Sequence, residues 1–286
     1  MSKERSLQNV PERRQRVQSA EMGMGILKAL ARLGGSASLT AVAAEVVEST
    51  AKVHRYMASL IQEGLVAQDP LTQRYYLGHE AIQIGLAAMR QCDPIRLGES
   101  ALVRLQEELG VTCFLAIMGN KGPTILRFEE PGLPVTINVR AGSVLPLLWS
   151  ATGRIFVSFV DDAQIREQIK NELSSATIDQ RASLHDDEPI ERLRQETRIR
   201  QCAVVQDTLL RGISAVAAPI FDHTGRVSAV LTALGATGGF NPTAGGTIAT
   251  HVIHEALAIS EALGFTKQKA GGSQPGAATL ASNRLN

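Results

Sequence analysis

The sequence is sparing in the residues that stabilise secreted proteins or carry familiar catalysis. Its three cysteines, Cys92, Cys113 and Cys202, form no CxxC pair. That excludes a disulfide framework and a thiolate zinc site and fits reduced thiols in a cytoplasmic protein. No apolar run is long enough to span a bilayer, and the N-terminal stretch MSKERSLQNVPERRQRVQ has no apolar core of a secretory signal. GxSxG, P-loop and GxGxxG runs are all missing, so neither a nucleophile elbow nor a phosphate cradle is expected, and no cofactor. Charge of one sign is scarce as well: the net charge is +1.

That small net charge hides an asymmetry. Residues 1–78 carry ten Lys and Arg against seven Asp and Glu, whereas residues 79–286 carry 19 against 21. A mildly positive N-terminal part permits nucleic-acid binding without demanding it. Apolar content of 44% and charged content of 20% are ordinary for a globular chain, and 286 residues suffice for two domains, each with its own core.

Residues 1–17 are polar and basic and read as a flexible arm. A helix is predicted from about Ser19, a plausible N-cap, with Met22, Ile26, Leu27, Leu30 and Leu33 on one side and a stop at Gly34-Gly35. A short second helix follows Ser38. After the break Val47-Glu48-Ser49 comes TAKVHRYMASLIQ (residues 50–62), which Ser49 or Thr50 can cap. Its apolar stripe is Val53, Tyr56, Met57, Leu60 and Ile61, with Lys52, Arg55 and Ser59 nearly opposite. Two short extended runs, GLVAQ and QRYYLG, flank the turn former DPLT. Three helices with a tight break before the third, then a hairpin, describe a winged helix-turn-helix over residues 18–78.

The third helix on its own is equally a solvated cover with two ordinary cations. In this setting its outward face suits the major groove of double-stranded DNA. Its candidate contacts are Thr50, Lys52, Arg55 and Ser59, with His54 either reaching a phosphate or packing. Arg74 on the wing and Arg13, Arg14 and Arg16 in the arm would touch the backbone or minor groove.

Residues 79–97 read as a linker helix that Pro94 ends or kinks. Ile82, Leu86 and Met89 repeat at heptad-like spacing, which fits an inter-subunit seam or packing within the chain. Residues 98–265 mix helices and strands. Helices are predicted at Gly98–Leu109, from Ser150, after Asp161 with Gln164 completing a capping-box-like pairing, from Pro189 and over 241–263. Strands are predicted near 112–118, 123–130, 134–140, 202–207, 213–221 and 226–235. The pattern is that of an α+β domain with an antiparallel-rich sheet. Residues 266–286, rich in Gly, Ser and Ala, read as a disordered tail.

From about Val17 to Phe265 the chain resembles the IclR family of bacterial transcriptional regulators. The segments that carry the resemblance are VHRYMASLIQEGLV with RYYLG, RAGSVLPLLWSATGRIF, and RGISAVAAPIFDHTGRVSAVLTALG. It implies a winged-helix DNA-binding domain, a helical linker and a GAF/profilin-like effector-binding domain. It also implies homodimers or dimers of dimers that bind inverted-repeat operators and respond to a small organic or aromatic acid. The sequence departs from the family where Val47 replaces the usual turn glycine, which suggests a differently built turn, because a β-branched residue disfavours positive φ. Ala51-Lys52 replaces a Ser/Thr pair and Leu148 a histidine.

Mapped by the resemblance, the effector site is Ala151 and Thr152 at a helix start, joined by Ser150 on physical grounds, with Ala215, Thr232 and Leu234 on late strands. Free N–H groups at that helix start favour a carboxylate. Ala215 and Leu234 are apolar where acid-binding members carry Cys or Ser, so Thr232 is the remaining polar group and a less polar acid is expected. Phe114 and Trp149 supply a stacking wall, or simply core. HVIHE places His251, His254 and Glu255 on one helix, where amphipathic cover outweighs a metal site. The competing class is a small-molecule-binding enzyme or sensor whose N-terminal domain contacts protein.

Overall fold

A computed structural model describes residues 17–132, 140–184 and 188–266. Arg13, Arg14 and Arg16, most of the strand expected at 134–140, and the tail from residue 267 lie outside those residues. The chain divides into two compact units between Gln91 and Cys92.

The first unit begins with α1 (Gln18–Arg32), β1 (Ser36–Ala37), α2 (Leu39–Glu45) and α3 (Thr50–Gln62). It continues with β2 (Val66–Gln68), β3 (Tyr75–Leu77) and α4 (His79–Met89). Ile26, Ala29 and Leu30 of α1, Val42 and Ala43 of α2, and Val53, Met57 and Leu60 of α3 meet Val66 and Tyr75 in one core. Each of those helices therefore buries a single stripe. The strands pair antiparallel in the order β1-β3-β2. Ser38 caps α2 and Ser49 caps α3, each hydroxyl accepting an N–H three residues on at 3.3 Å.

Several local expectations need correction here. Helix α1 starts at Gln18 after Val17, with no side-chain cap, so Ser19 lies inside the helix. Ile61 is 39% exposed and outside the core, because the stripe closes one residue earlier, at Leu60. The helix-turn-helix turn is not rebuilt to avoid positive φ: Val47 itself adopts φ 55°. It can do so because its side chain points into solvent, 88% exposed, where the β-branched group meets nothing but its own backbone. Gly78 joins the wing to α4, and a Cβ there would lie 2.1 Å from the Gly64 carbonyl oxygen, so only glycine admits that approach.

The second unit opens with α5 (Pro94–Leu109), which corrects the linker helix expected over 79–97. Pro94 begins this helix, with Asp93 as its N-cap accepting from Ile95 N–H at 2.9 Å. A proline costs nothing at the first helical position, where its missing N–H has no partner to lose. After α5 come β4 (Thr112–Gly119), β5 (Gly122–Glu129), α6 (Ala151–Phe159), α7 (Ala163–Ser174), α8 (Ile178–Ala182) and α9 (Pro189–Arg200). Then follow β6 (Ala203–Gln206), β7 (Ile213–Phe221), β8 (Val227–Ala236) and α10 (Thr247–Ala262). Asp162, one residue past the expected cap, caps α7, and the Gln164 side chain donates to Asn120 O instead of closing a box.

Five strands pair antiparallel throughout, in the order β5-β4-β8-β7-β6. The α+β class with an antiparallel sheet is thus observed. One face packs on α5 and α10 through Leu102, Leu105, Val252 and Ile259. The other packs on α6 through Ile155 and Phe156, with α7 adding Ile165 and Ile169. Strand β8 alternates between the two: Ala229, Leu231 and Ala233 toward the first, Val230 and Leu234 toward the second.

Candidate DNA-binding helix and effector site

Helix α3 buries Val53, Met57 and Leu60 and leaves Thr50, His54, Arg55 and Ser59 exposed. The exposed set runs along one side from the N-terminus, where a helix dipole and short side chains favour a phosphate. His54 is therefore at the surface and does not pack in the core. Lys52 is committed differently: its Nζ sits 2.6 Å from the Glu48 carboxylate, four residues back. Arg74 also has a structural task, donating from Nη2 to the Ser36 carbonyl at 2.8 Å and from Nε to the Ser36 hydroxyl at 3.3 Å. It clasps β3 to β1, and this shortens its reach toward a nucleic acid.

In the second unit the residues assigned to effector binding converge, although they come from distant parts of the chain. Phe114 on β4 pairs in register with Thr232 on β8, and Ala215 on β7 with Leu234. Thr152, in the first turn of α6, lies over them, and its hydroxyl is 2.9 Å from that of Thr232 in a buried hydrogen bond. Phe114, Trp149, Ala151, Ala215 and Leu234 belong to a single apolar cluster. Ser150 caps α6, its hydroxyl accepting from Gly153 N–H at 2.9 Å while donating to Pro146 O at 2.6 Å. Only the first two N–H groups, of Ala151 and Thr152, precede those satisfied by Ser150. Thr232 is therefore already bonded to Thr152, and an incoming polar ligand has to compete with that contact or add to it.

The loop that delivers α6 is held at several points. Glu172 on α7 accepts the N–H groups of Leu147 and Leu148 at 2.6 and 2.9 Å. Arg154 donates from Nε to Leu148 O at 2.8 Å and from Nη1 to Val204 O at 3.1 Å, joining the loop to edge strand β6. At Gly153 a Cβ would lie 2.2 Å from Pro146 O and 2.5 Å from Leu147 Cα. These supports were not apparent from sequence, because Glu172 and Arg154 resemble ordinary charges on amphipathic helices.

Candidate chemistry elsewhere is occupied. Glu255 receives Arg104 at 2.6 and 3.3 Å, and His251 Nδ1 contacts Thr247 O at 2.8 Å, so two of the three HVIHE candidates already have partners within the fold. Among the described residues no group of three His, Cys, Asp or Glu is placed to hold a metal. Burial pushes the Cys113 thiol up to about 12 and raises that of Cys202, so neither supplies a thiolate at neutral pH. No described helix is long and apolar enough to cross a membrane.

Comparison with known proteins decides the family. Residues 19–70 match the IclR helix-turn-helix domain, and residues 86–261 match the bacterial transcriptional regulator IclR C-terminal domain. The chain belongs to the IclR family of bacterial transcriptional regulators. The crystal structure of Pseudomonas aeruginosa HmgR is similar at 38% identity and a TM-score of 0.80, covering 87% of this chain and 99% of that one. The HTH-type transcriptional regulator XynR of Escherichia coli is 22% identical, over 87% of this chain and 98% of its own length. The Pca regulon regulatory protein of Pseudomonas putida is 28% identical, over 63% and 61%. This IclR-family chain is accordingly a DNA-binding transcriptional regulator with an N-terminal helix-turn-helix and a C-terminal effector-type domain.

Proposed function

We propose that the chain is a cytoplasmic, non-enzymatic regulator of a catabolic operon that binds an inverted-repeat operator as a homo-oligomer and senses a small organic or aromatic acid. Arg55, Ser59, Thr50 and His54 face the major groove, and Lys52 joins them when DNA phosphate displaces Glu48. The observation that carries this reading is the division of α3 into a buried stripe and an open polar side, beside a complete wing. Oligomer formation is supported by α4, which has no buried residue. Its Ile82, Leu86 and Met89 are 54%, 42% and 45% exposed and share one side, as a seam between subunits requires.

The acid would place its carboxylate at the N–H groups of Ala151 and Thr152 and its apolar body against Phe114, Trp149 and Leu234. Full-length protein is titrated by fluorescence anisotropy with DNA upstream of its own gene and with a genomic fragment pool, at several salt concentrations. Preferential binding that weakens with salt is expected, with Arg55→Ala losing about 1–3 kcal/mol on the preferred site. No preference across the whole pool, with or without aromatic acids, overturns the reading.

A further inference from the structure

A cleft of about 310 Å³ is lined by residues of α6, α9 and β6, none of them among the candidate effector residues. Its lining includes Arg154, Arg192, Arg200 and Glu196, with Ser183 and Thr197. Three guanidinium groups thus face one carboxylate among the described lining residues. Glu196 lies between Arg192 at 2.9 Å and Arg200 at 3.4 Å, and so offsets one cation's charge.

Arg154 is the decisive group. Its Nε and Nη1 are fixed on the Leu148 and Val204 carbonyls. Nη2 makes neither of those bonds, and Arg154 is part of the cleft lining. Burial pulls the guanidinium down to about 10, against the opposing field of Glu196. It remains charged at neutral pH, and a desolvated cation binds an anion more strongly than a surface one.

We propose that this cleft is a second ligand site, separate from the effector site, that holds a small carboxylate- or phosphate-bearing anion between Arg154 Nη2 and the Arg200 guanidinium. The Thr197 hydroxyl sits on the lining for one of the anion's remaining acceptors, while that of Ser183 is spent on Gln180 O at 2.7 Å. At about 30 Å³ per water-sized volume, the cavity accommodates an anion of up to about ten heavy atoms.

Full-length chain is titrated with inorganic phosphate and, separately, with succinate, at ionic strength matched by sodium chloride, and followed by calorimetry and thermal denaturation without DNA. Saturable binding of at least one anion is expected. Arg200→Gln, whose side chain is 53% exposed, should weaken it about tenfold or more without loss of folding. Arg154→Lys should weaken it similarly. Thr232→Val and Arg55→Ala should leave it unchanged, which separates this site from the effector pocket and from the DNA face. Succinate alone binding assigns a carboxylate, and phosphate alone a phosphoryl group. The proposal is overturned if neither anion saturates, or if binding survives Arg200→Gln and Arg154→Lys but is lost in Thr232→Val or Arg55→Ala.

Discussion

The two units of this chain carry their functional residues in opposite ways. In the first, the candidate DNA contacts Thr50, His54, Arg55 and Ser59 stand on a single helix with their side chains exposed. In the second, the candidate effector residues arrive from α6, β4, β7 and β8 and lie almost wholly buried. An exposed row costs the fold little to alter and is read through its partner. A buried cluster is shared between ligand recognition and stability, so changing one residue disturbs both. The contrast predicts that the candidate DNA contacts tolerate substitution better than the candidate effector residues do.

The sharpest way to break the comparison is at the close-approach glycine of the buried site. Gly153→Ala is expected to destabilise the chain by about 3 kcal/mol, since the added methyl meets backbone that cannot yield. Denaturant unfolding measures this, and an unchanged midpoint would mean that the α6 loop is far more plastic than its contacts imply. Next in size is Thr232→Val, which conserves shape but strands the Thr152 hydroxyl in the core. A loss of about 1–3 kcal/mol is expected, recovered in part by Thr152→Val/Thr232→Val, with DNA affinity unaltered in the absence of effector. The same kind of substitution on the exposed side, Ser59→Ala, should leave stability within about 0.5 kcal/mol.

One effect has the opposite sign. Val47→Gly removes left-handed strain of about 1–2 kcal/mol but loosens the unfolded chain by about 0.4–1 kcal/mol. A net gain of up to about 1 kcal/mol is expected in thermal denaturation, without change in the salt dependence of DNA binding. A loss would show that the valine makes a contact in the oligomer or on DNA.

The same contrast governs what the sequence disclosed. Helix α3 was readable because its stripe and its outward face are both written within thirteen consecutive residues. The stripe's limit was not: Ile61 fits the period but lies beyond the reach of the core. Pro94 was read as a stop, though proline also starts helices, and only the Asp93 cap distinguishes the two. Two-residue β1 is too short to leave a pattern, so the Ser36 contacts that occupy Arg74 were invisible. At the buried site, the strands were recognisable from their apolar runs, but their register was not. That Phe114 pairs with Thr232 depends on a register across 118 residues, and that Thr152 reaches it on a contact across 80. The resemblance to a family named Thr152 and Thr232, and only the fold shows that they meet.

Val47 has a consequence on another scale. Valine and glycine codons differ at their second base alone, so the strained turn lies one point mutation from its relaxed form. A typical destabilising substitution elsewhere in this unit costs about 1 kcal/mol, close to what that single base change can return. The turn preceding the DNA-facing helix is thus a ready site of genetic suppression. Lineages or selections that drift in the N-terminal core have a short mutational path back to stability, and codon 47 is where revertants should accumulate.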